Sequence, residues 1–337
     1  MQPFVYHRAE NIASAVASAS AGPSEFPAPT SFLAGGTTLL DLMKLDVMRP
    51  ATVIDINALA DPALARIEVD DRGLRLGALV HMADAAEHPE IERNFPVIAQ
   101  SLRLAASAQL RNMATLGGNV LQRTRCSYFR DVSYPECNKR NPGSGCAAIE
   151  GFNRAHAVLG TSDNCIATYP GDFGQALIAL DATVNIMGPR GVRTISFAEL
   201  HREPVHRPDI ETKLQPGEMI VSFSVPAGPW TRRSLYLKIR DRESYEFALA
   251  SAAVALDLRE GMVREARIAL GGLATVPWRA KSAEAVLVGS GIDDGSKIAA
   301  AEAAFAGARA YAHNGFKIEL GKRTLRRALH QAAAMEI

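Results

Sequence analysis

The sequence predicts a mixed α+β protein with more than one domain, and three observations carry that prediction. Its 337 residues exceed the roughly 250 to 300 at which a single hydrophobic core stops growing. Short strand-like and helix-like runs alternate near the start and make a compact β-α-β unit. The last third instead sets two long β-type segments before alanine-rich helices.

Each element follows from local pattern. "FVYHRAENIASAVASASA" reads as a strand and a helix, followed by a proline- and serine-rich loop, "GPSEFPAPT". "SFLAGG" is a strand running into glycines, "TTLLDLMK" a helix, and "ATVIDIN" and "LRLGALV" further strands. "HMADAAEHPEIERN" and "PVIAQSLRLAASAQLRNMA" read as two helices, the second with apolar residues at three- and four-residue spacing. After "TLGGNV" comes a long segment with little hydrophobic periodicity, and a loop of that length inside a domain is functional or disordered. "GDFGQALIALDATVNIMGPRGVRTI" reads as a helix and a strand pair around Gly-Pro-Arg-Gly, and "MIVSFSVP" as a strand before a boundary near Gly228. "ALASAAVALDL" and "MVREARIALGG" are β-type segments joined at "REG". The helices "KIAAAEAAFAGARAYA" and "KRTLRRALHQAAAMEI" follow, the latter with a solvated Arg-Lys face.

Composition excludes several function classes. With 37 basic and 36 acidic side chains the formal charge is +1, which calls for neither nucleic acid nor an anionic membrane as partner. No window approaches about 18 uninterrupted apolar residues, and the N-terminus carries no readable secretion signal. The expectation is a soluble protein that would leave the cytoplasm only if carried by a partner.

Two glycine pairs are the first chemical signal. In "FLAGGTTLLDLMK" a strand ends in adjacent glycines and turns into a helix, which leaves backbone N–H groups open to a phosphate. It is neither G-x-G-x-x-G nor a P-loop. "LRNMATLGGNV" repeats the glycine pair about 80 residues later, so two loops could serve both phosphates of one dinucleotide.

With "PGEMIVSFSVP" and "LYLKIRDRESYEFALASAAVAL", these loops resemble the FAD-binding subunit of molybdenum hydroxylases, the xanthine dehydrogenase and aldehyde oxidoreductase family. The resemblance spans nearly the whole chain. It implies a vanillyl-alcohol-oxidase-type FAD domain in two subdomains, 1–56 and 57–228, the second with an insertion at about 122–168. A domain like that of carbon monoxide dehydrogenase flavoproteins would follow at 229–337.

By position, the resemblance assigns Phe32, Leu33, Ala34, Gly35, Gly36, Thr37, Thr38, Leu39 and Leu40 to the FAD diphosphate. Thr115, Gly117, Gly118 and Asn119 form a second wall, Asp172 binds the sugar-like portion, Ile220 is an apolar contact and Lys238 stands at the flavin ring. Those roles suit the residues: amide dipoles favour phosphate charge, a carboxylate accepts from hydroxyls, and a lysine favours an anionic reduced ring.

All four cysteines, Cys126, Cys137, Cys146 and Cys165, fall in the long segment, spaced C-x10-C-x8-C-x18-C. Without a C-x-x-C pair a structural zinc is disfavoured, although three cysteines with His156 could bind one, and two disulfides are conceivable in an oxidising compartment. A [4Fe–4S] cluster fits better: Arg123, Arg125, Arg130, Lys139 and Arg140 surround the thiols, and "NPGSG" offers bare amides. The insertion is similar to that of the family branch carrying an extra [4Fe–4S] cluster, seen in bacterial periplasmic aldehyde oxidoreductase and 4-hydroxybenzoyl-CoA reductase, and resembles the former more.

The resemblance implies an electron-transfer subunit of a heterotrimer. A large molybdenum-cofactor subunit and a small subunit with two [2Fe–2S] clusters would pass electrons through FAD to an external acceptor. Those two clusters need more thiolates than the four cysteines present here. Co-export with a partner would place the complex in the periplasm; the alternative is the cytoplasm. No catalytic acid or base stands out, and His81, His156, His201 and His206 read as surface or satisfied histidines. A xanthine dehydrogenase-like or 4-hydroxybenzoyl-CoA reductase-like enzyme is the alternative within the family. A stand-alone flavoprotein oxidase is another, and the absence of His and Cys from "FLAGGTTLL" counts against its usual flavin linkage.

Overall fold

The computed structural model describes residues 1–20 and 29–337, so most of the expected loop "GPSEFPAPT" lies outside the described residues. The described residues form three sheets. The first is parallel: Thr52–Asp55 lies between Val5–Arg8 and Thr30–Leu33, as the expected β-α-β reading requires. Its crossover helix, Leu39–Lys44, starts directly after the first glycine pair.

The second sheet has five antiparallel strands in the order Ile67–Asp70, Gly73–Gly77, Met219–Pro226, Thr183–Gly188 and Gly191–Ser196. Its central strand, "MIVSFSVP", pairs with residues far earlier and slightly earlier in the chain, at Gly73–Gly77 and Thr183–Gly188. One face packs on the helices Pro96–Arg103 and Phe173–Ala179 around Phe95, Phe173, Phe197 and Phe223.

The third sheet runs Trp278–Arg279, Met262–Gly271, Ala250–Arg259, Ser234–Ile239. Its near-continuous apolar strands are buried on both faces, which explains why they lack alternation. Ala253, Ala255 and Ala269 join the core of the second sheet, whereas Ala252, Val254, Leu256, Ile268 and Leu270 pack under the C-terminal helices. Leu325, Ala328 and Leu329 of the last helix, Phe316–Ala333, complete that core.

Three expectations need correction. "HMADAAEHPEIERN" forms two helices, Met82–Ala86 and Pro89–Asn94, because Pro89 cannot donate to a preceding turn and starts a new one. "PVIAQSLRLAASAQLRNMA" breaks at Ala106, whose φ of 50° is left-handed, and Ser107 caps the second piece through Leu110 N. The last helix begins at Phe316, ahead of the expected Lys322.

Candidate functional site

The two glycine loops meet. A Cβ on Gly35 would lie 1.8 Å from Met113 O, so the first loop touches the backbone just ahead of Thr115. Gly36 takes a φ of 72°, a conformation that glycine adopts without penalty. Both loops line a cleft of about 690 Å³, a volume within the range of cofactor sites.

The loops differ in what they can offer. Among the described residues, the amides of Gly35, Gly36, Thr37 and Thr38 donate to no carbonyl, so they stand ready for an anion. "TLGGNV", by contrast, winds into a helical turn, Leu116–Val120. There Gly117 N donates to Ala78 O at 2.8 Å, Gly118 N to Thr115 Oγ1 at 3.3 Å and Asn119 N to Thr115 O at 2.8 Å. The expectation of two open amide loops therefore holds for the first only, and the second contributes close packing: a Cβ on Gly117 would meet Ala78 at 3.0 Å.

Of the residues assigned in advance, Phe32, Ala34, Gly35, Gly36, Thr37, Thr38, Leu39, Thr115, Gly117, Gly118 and Ile220 line the cleft. Leu33, Leu40 and Asn119 lie just outside the lining, although the buried Asn119 Oδ1 has no partner among the described residues. Asp172 and Lys238 lie outside it as well and pair with each other, Nζ to Oδ2 at 2.7 Å. Tyr236 Oη donates to Asp172 Oδ1 at 2.7 Å, and Lys238 Nζ also donates to Leu104 O at 3.0 Å. Burial raises the Asp172 carboxyl above its ordinary range despite the opposing pull of Lys238. Tyr169 packs over Gly171 and Gly174 beside that pair and itself lines the cleft.

Sequence reasoning missed the far wall of the cleft, where Tyr169, His201 and Glu211 stand with Arg123 and Lys139. His201 Nε2 lies 3.0 Å from Val120 O and its ring packs edge-on against Tyr169 and Phe197. Burial pushes this histidine down to about 4; it is buried rather than at the surface, and among the described residues its Nδ1 has no partner, so it is not the fully satisfied histidine expected. No periodic pattern marks these residues, because they come from irregular segments.

The thiols form a second group behind that wall. Cys137 and Cys165 are buried, Cys126 and Cys146 half-buried, and all four are free. Cys126 feels the charges of Cys165 and Cys137, and Cys165 donates to Cys146, which holds the Cys146 thiol below its usual range. Burial pushes Cys126 up to about 12, and His156 Nε2 lies 3.1 Å from its Sγ. Among the described residues, no three His, Cys, Asp or Glu side chains stand at metal-ligating positions. Four free thiols in one segment are the donor type that a soft metal centre takes, but as placed they do not make a ligand set.

The surrounding polar groups are committed elsewhere, which corrects their expected role as donors to a cluster. Gly143 N and Gly145 N both donate to Asn138 Oδ1 at 3.0 Å, so the "NPGSG" amides are not bare. Arg125 and Arg130 pair with Asp41 at 3.2 and 2.8 Å, Arg140 donates to the carbonyls of Tyr128, Phe129, Asp131 and Tyr134, and Arg123 and Lys139 pair with Glu211. Asp41 sits on the helix that follows the first glycine loop, so the cysteine segment is tied directly to the cleft.

Comparison with known proteins then decides the family. Residues 2–228 match the FAD binding domain in molybdopterin dehydrogenase, and residues 235–332 match the CO dehydrogenase flavoprotein C-terminal domain. The chain belongs to the FAD-binding medium subunits of the molybdenum hydroxylases. It is 46% identical over 336 residues to the aldehyde oxidoreductase FAD-binding subunit PaoB of Escherichia coli K12, covering 99% of each chain. It is 26% identical to the carbon monoxide dehydrogenase medium chain of Afipia carboxidovorans, covering 86% of this chain and 81% of that one. A carbon monoxide dehydrogenase structure from Hydrogenophaga pseudoflava superimposes with a TM-score of 0.75 at 27% identity, covering 99% of both chains. The medium-subunit fold accounts for the paired glycine loops and the late four-stranded sheet, and FAD fits the cleft through the free amides at its first loop.

Proposed function

We propose that this chain is the electron-transfer subunit of a heterotrimeric, molybdenum-dependent aldehyde oxidoreductase, and that Cys126, Cys137, Cys146 and Cys165 hold a [4Fe–4S] cluster beside its FAD. The observation that carries the proposal is the set of four free thiols, two buried and two half-buried, in a segment whose Arg123, Thr124 and Lys139 line the FAD cleft. Near-full-length similarity to an aldehyde oxidoreductase subunit supports the substrate class.

FAD supplies the change between two-electron and one-electron chemistry. The chain's own residues hold and tune it. Amides of Gly35 to Thr38 would take the diphosphate charge, Thr115, Gly117 and Gly118 would close the opposite side, and Ile220 would exclude water. Asp172 and Lys238 would act from beneath Tyr169 as a fixed pair. A large molybdenum subunit and a small [2Fe–2S] subunit would complete the heterotrimer, with an external acceptor taking the electrons. Co-export with a partner would place the complex in the periplasm.

Purified chain should contain flavin and about four irons per chain, the count that a [4Fe–4S] cluster sets. Cys137→Ser should lose the iron and keep the flavin. One zinc per chain with no flavin would refute the proposal.

A further inference from the structure

The cleft is not built by the FAD-binding domain alone. The match to that domain ends at residue 228, yet Thr275 and Val276 line the cleft as well. They belong to the turn between the strands Met262–Gly271 and Trp278–Arg279 of the C-terminal domain. Lys238, which the resemblance sets at the flavin ring, lies outside the lining. From the third sheet and its connections the cleft therefore receives this turn and not the lysine.

The turn is firmly held. Tyr169 N donates to Ala274 O at 3.0 Å, Thr275 N to Leu159 O at 3.3 Å and Thr275 Oγ1 to Gly160 O at 2.6 Å. Gly160, at a φ of 60°, makes room for it: a Cβ there would lie 3.0 Å from Thr275 Oγ1 and 2.9 Å from the Trp278 ring. Val276 is committed to none of this. Among the described residues its N–H donates to no backbone carbonyl, Pro277 after it has no N–H, and its apolar side chain is only half-buried. An open amide and an uncovered valine on one cleft-lining residue suit a ligand that is flat, apolar and edged with acceptors.

FAD has two ring systems, and the larger fits this end better. The three fused rings of the isoalloxazine carry more apolar surface than adenine, with nitrogens and carbonyl oxygens along one edge. The wall beside the turn is matched to such a surface, since Ala167 and Pro170 line the cleft on either side of Tyr169. From the first glycine loop, contacts run by Met113 and the helical turn Leu116–Val120 to Tyr169, whose hydroxyl donates to Val120 O at 3.2 Å, and on to Ala274. The Thr275–Val276 turn thus stands at the Tyr169 end of the cleft, away from the amides that take the diphosphate.

We propose that Val276 of the C-terminal domain is a contact of the isoalloxazine ring, its side chain packing on the ring and its amide serving an acceptor at the ring's edge. Two domains then hold one cofactor, and a charge placed at position 276 acts on the ring's reduction. This rests on FAD occupying the cleft.

The test uses the full chain and measures the FAD Kd and the flavin midpoint potential by equilibrium titration. Val276→Asp and Val276→Lys are compared with Val276→Asn, the neutral reference. A carboxylate beside a ring that gains electrons disfavours reduction, and an ammonium favours it. The potential of Val276→Asp should lie below that of Val276→Asn and the potential of Val276→Lys above it. Val276→Asp should also raise the FAD Kd by roughly tenfold or more. If Val276→Asp retains too little flavin to titrate, Val276→Lys against Val276→Asn decides. A raised Kd with three equal potentials would put the turn on the adenosine arm and overturn the ring contact. Potentials of Val276→Asp and Val276→Lys displaced in the same direction would mark a distorted fold and overturn it too. Wild-type chain that takes up no flavin would overturn the FAD reading and this inference with it, whereas flavin in the wild type with unchanged Kd and potential in the variants overturns this inference alone.

Discussion

Gly36 shows how much of the site rests on one backbone angle. Its φ of 72° lets the chain leave the strand Thr30–Leu33 and enter the helix Leu39–Lys44, with the four lining residues Gly35 to Thr38 donating to no backbone carbonyl among the described residues. A side chain there would meet Leu40 at 3.0 Å and would suffer the left-handed penalty of about 1 to 2 kcal/mol. Gly36→Ala should therefore reduce the flavin content of purified chain while the C-terminal sheet folds normally; flavin-to-protein absorbance ratio and circular dichroism check both. "AGGTT" alone fits a tight strand-to-helix turn equally well, and the position became legible only with the second glycine loop and the family resemblance. Which amides remained free was not legible, because that depends on Ala78 and Thr115 consuming the donors of the other loop.

At the scale of elements, the cysteine segment holds its shape with little secondary structure. Asn138 gathers two glycine amides, Arg140 gathers four carbonyls, and Asp41 on the helix Leu39–Lys44 anchors two of the segment's arginines. These bonds do the work that a helix or sheet does elsewhere, satisfying backbone groups that would otherwise be buried unpaired. Arg140→Ala removes the carbonyl partners at one stroke. It should speed amide hydrogen exchange in residues 126–137 without changing exchange in the sheet strands, as mass spectrometry can read. The segment's existence was visible from its cysteines and missing periodicity. Its internal bonding was not, because side-chain-to-backbone hydrogen bonds leave no repeat in a sequence.

Across the whole molecule, the buried pair Asp172–Lys238 joins the helix Phe173–Ala179 to the strand Ser234–Ile239 of the third sheet. The side chains are 5% and 1% exposed, so removing one partner leaves an uncompensated charge. Lys238→Met should cost about 3 to 5 kcal/mol near neutral pH, measured by denaturant unfolding of the full chain. The pH dependence has a definite sign. Burial already raises Asp172 above its ordinary value of 3.8, and losing Lys238 raises it further. A carboxyl whose folded value is raised favours the folded state below the unfolded value and loses that contribution as pH rises through the folded one. The deficit of the variant should therefore be small near pH 4 and large at pH 8; a deficit independent of pH would show that the pair is not what the lysine supports.

The sequence by itself determined the FAD-binding class through its glycine loops, a near-neutral charge balance and a mixed α+β order, and it set four thiols in one segment. Those are properties of residue type and short-range spacing, and they survive without coordinates. Only the tertiary structure decided which of these residues face the cleft. It closed the second glycine loop into a helical turn, sent Asp172 and Lys238 to each other, and spent the arginines of the cysteine segment on Asp41, Glu211 and backbone carbonyls. It also brought Glu211 beside Arg123, 88 positions apart in the chain, a contact no local pattern announces. The reason is common to all of these: a buried polar group must find a partner, and which one it finds depends on what the fold brings near.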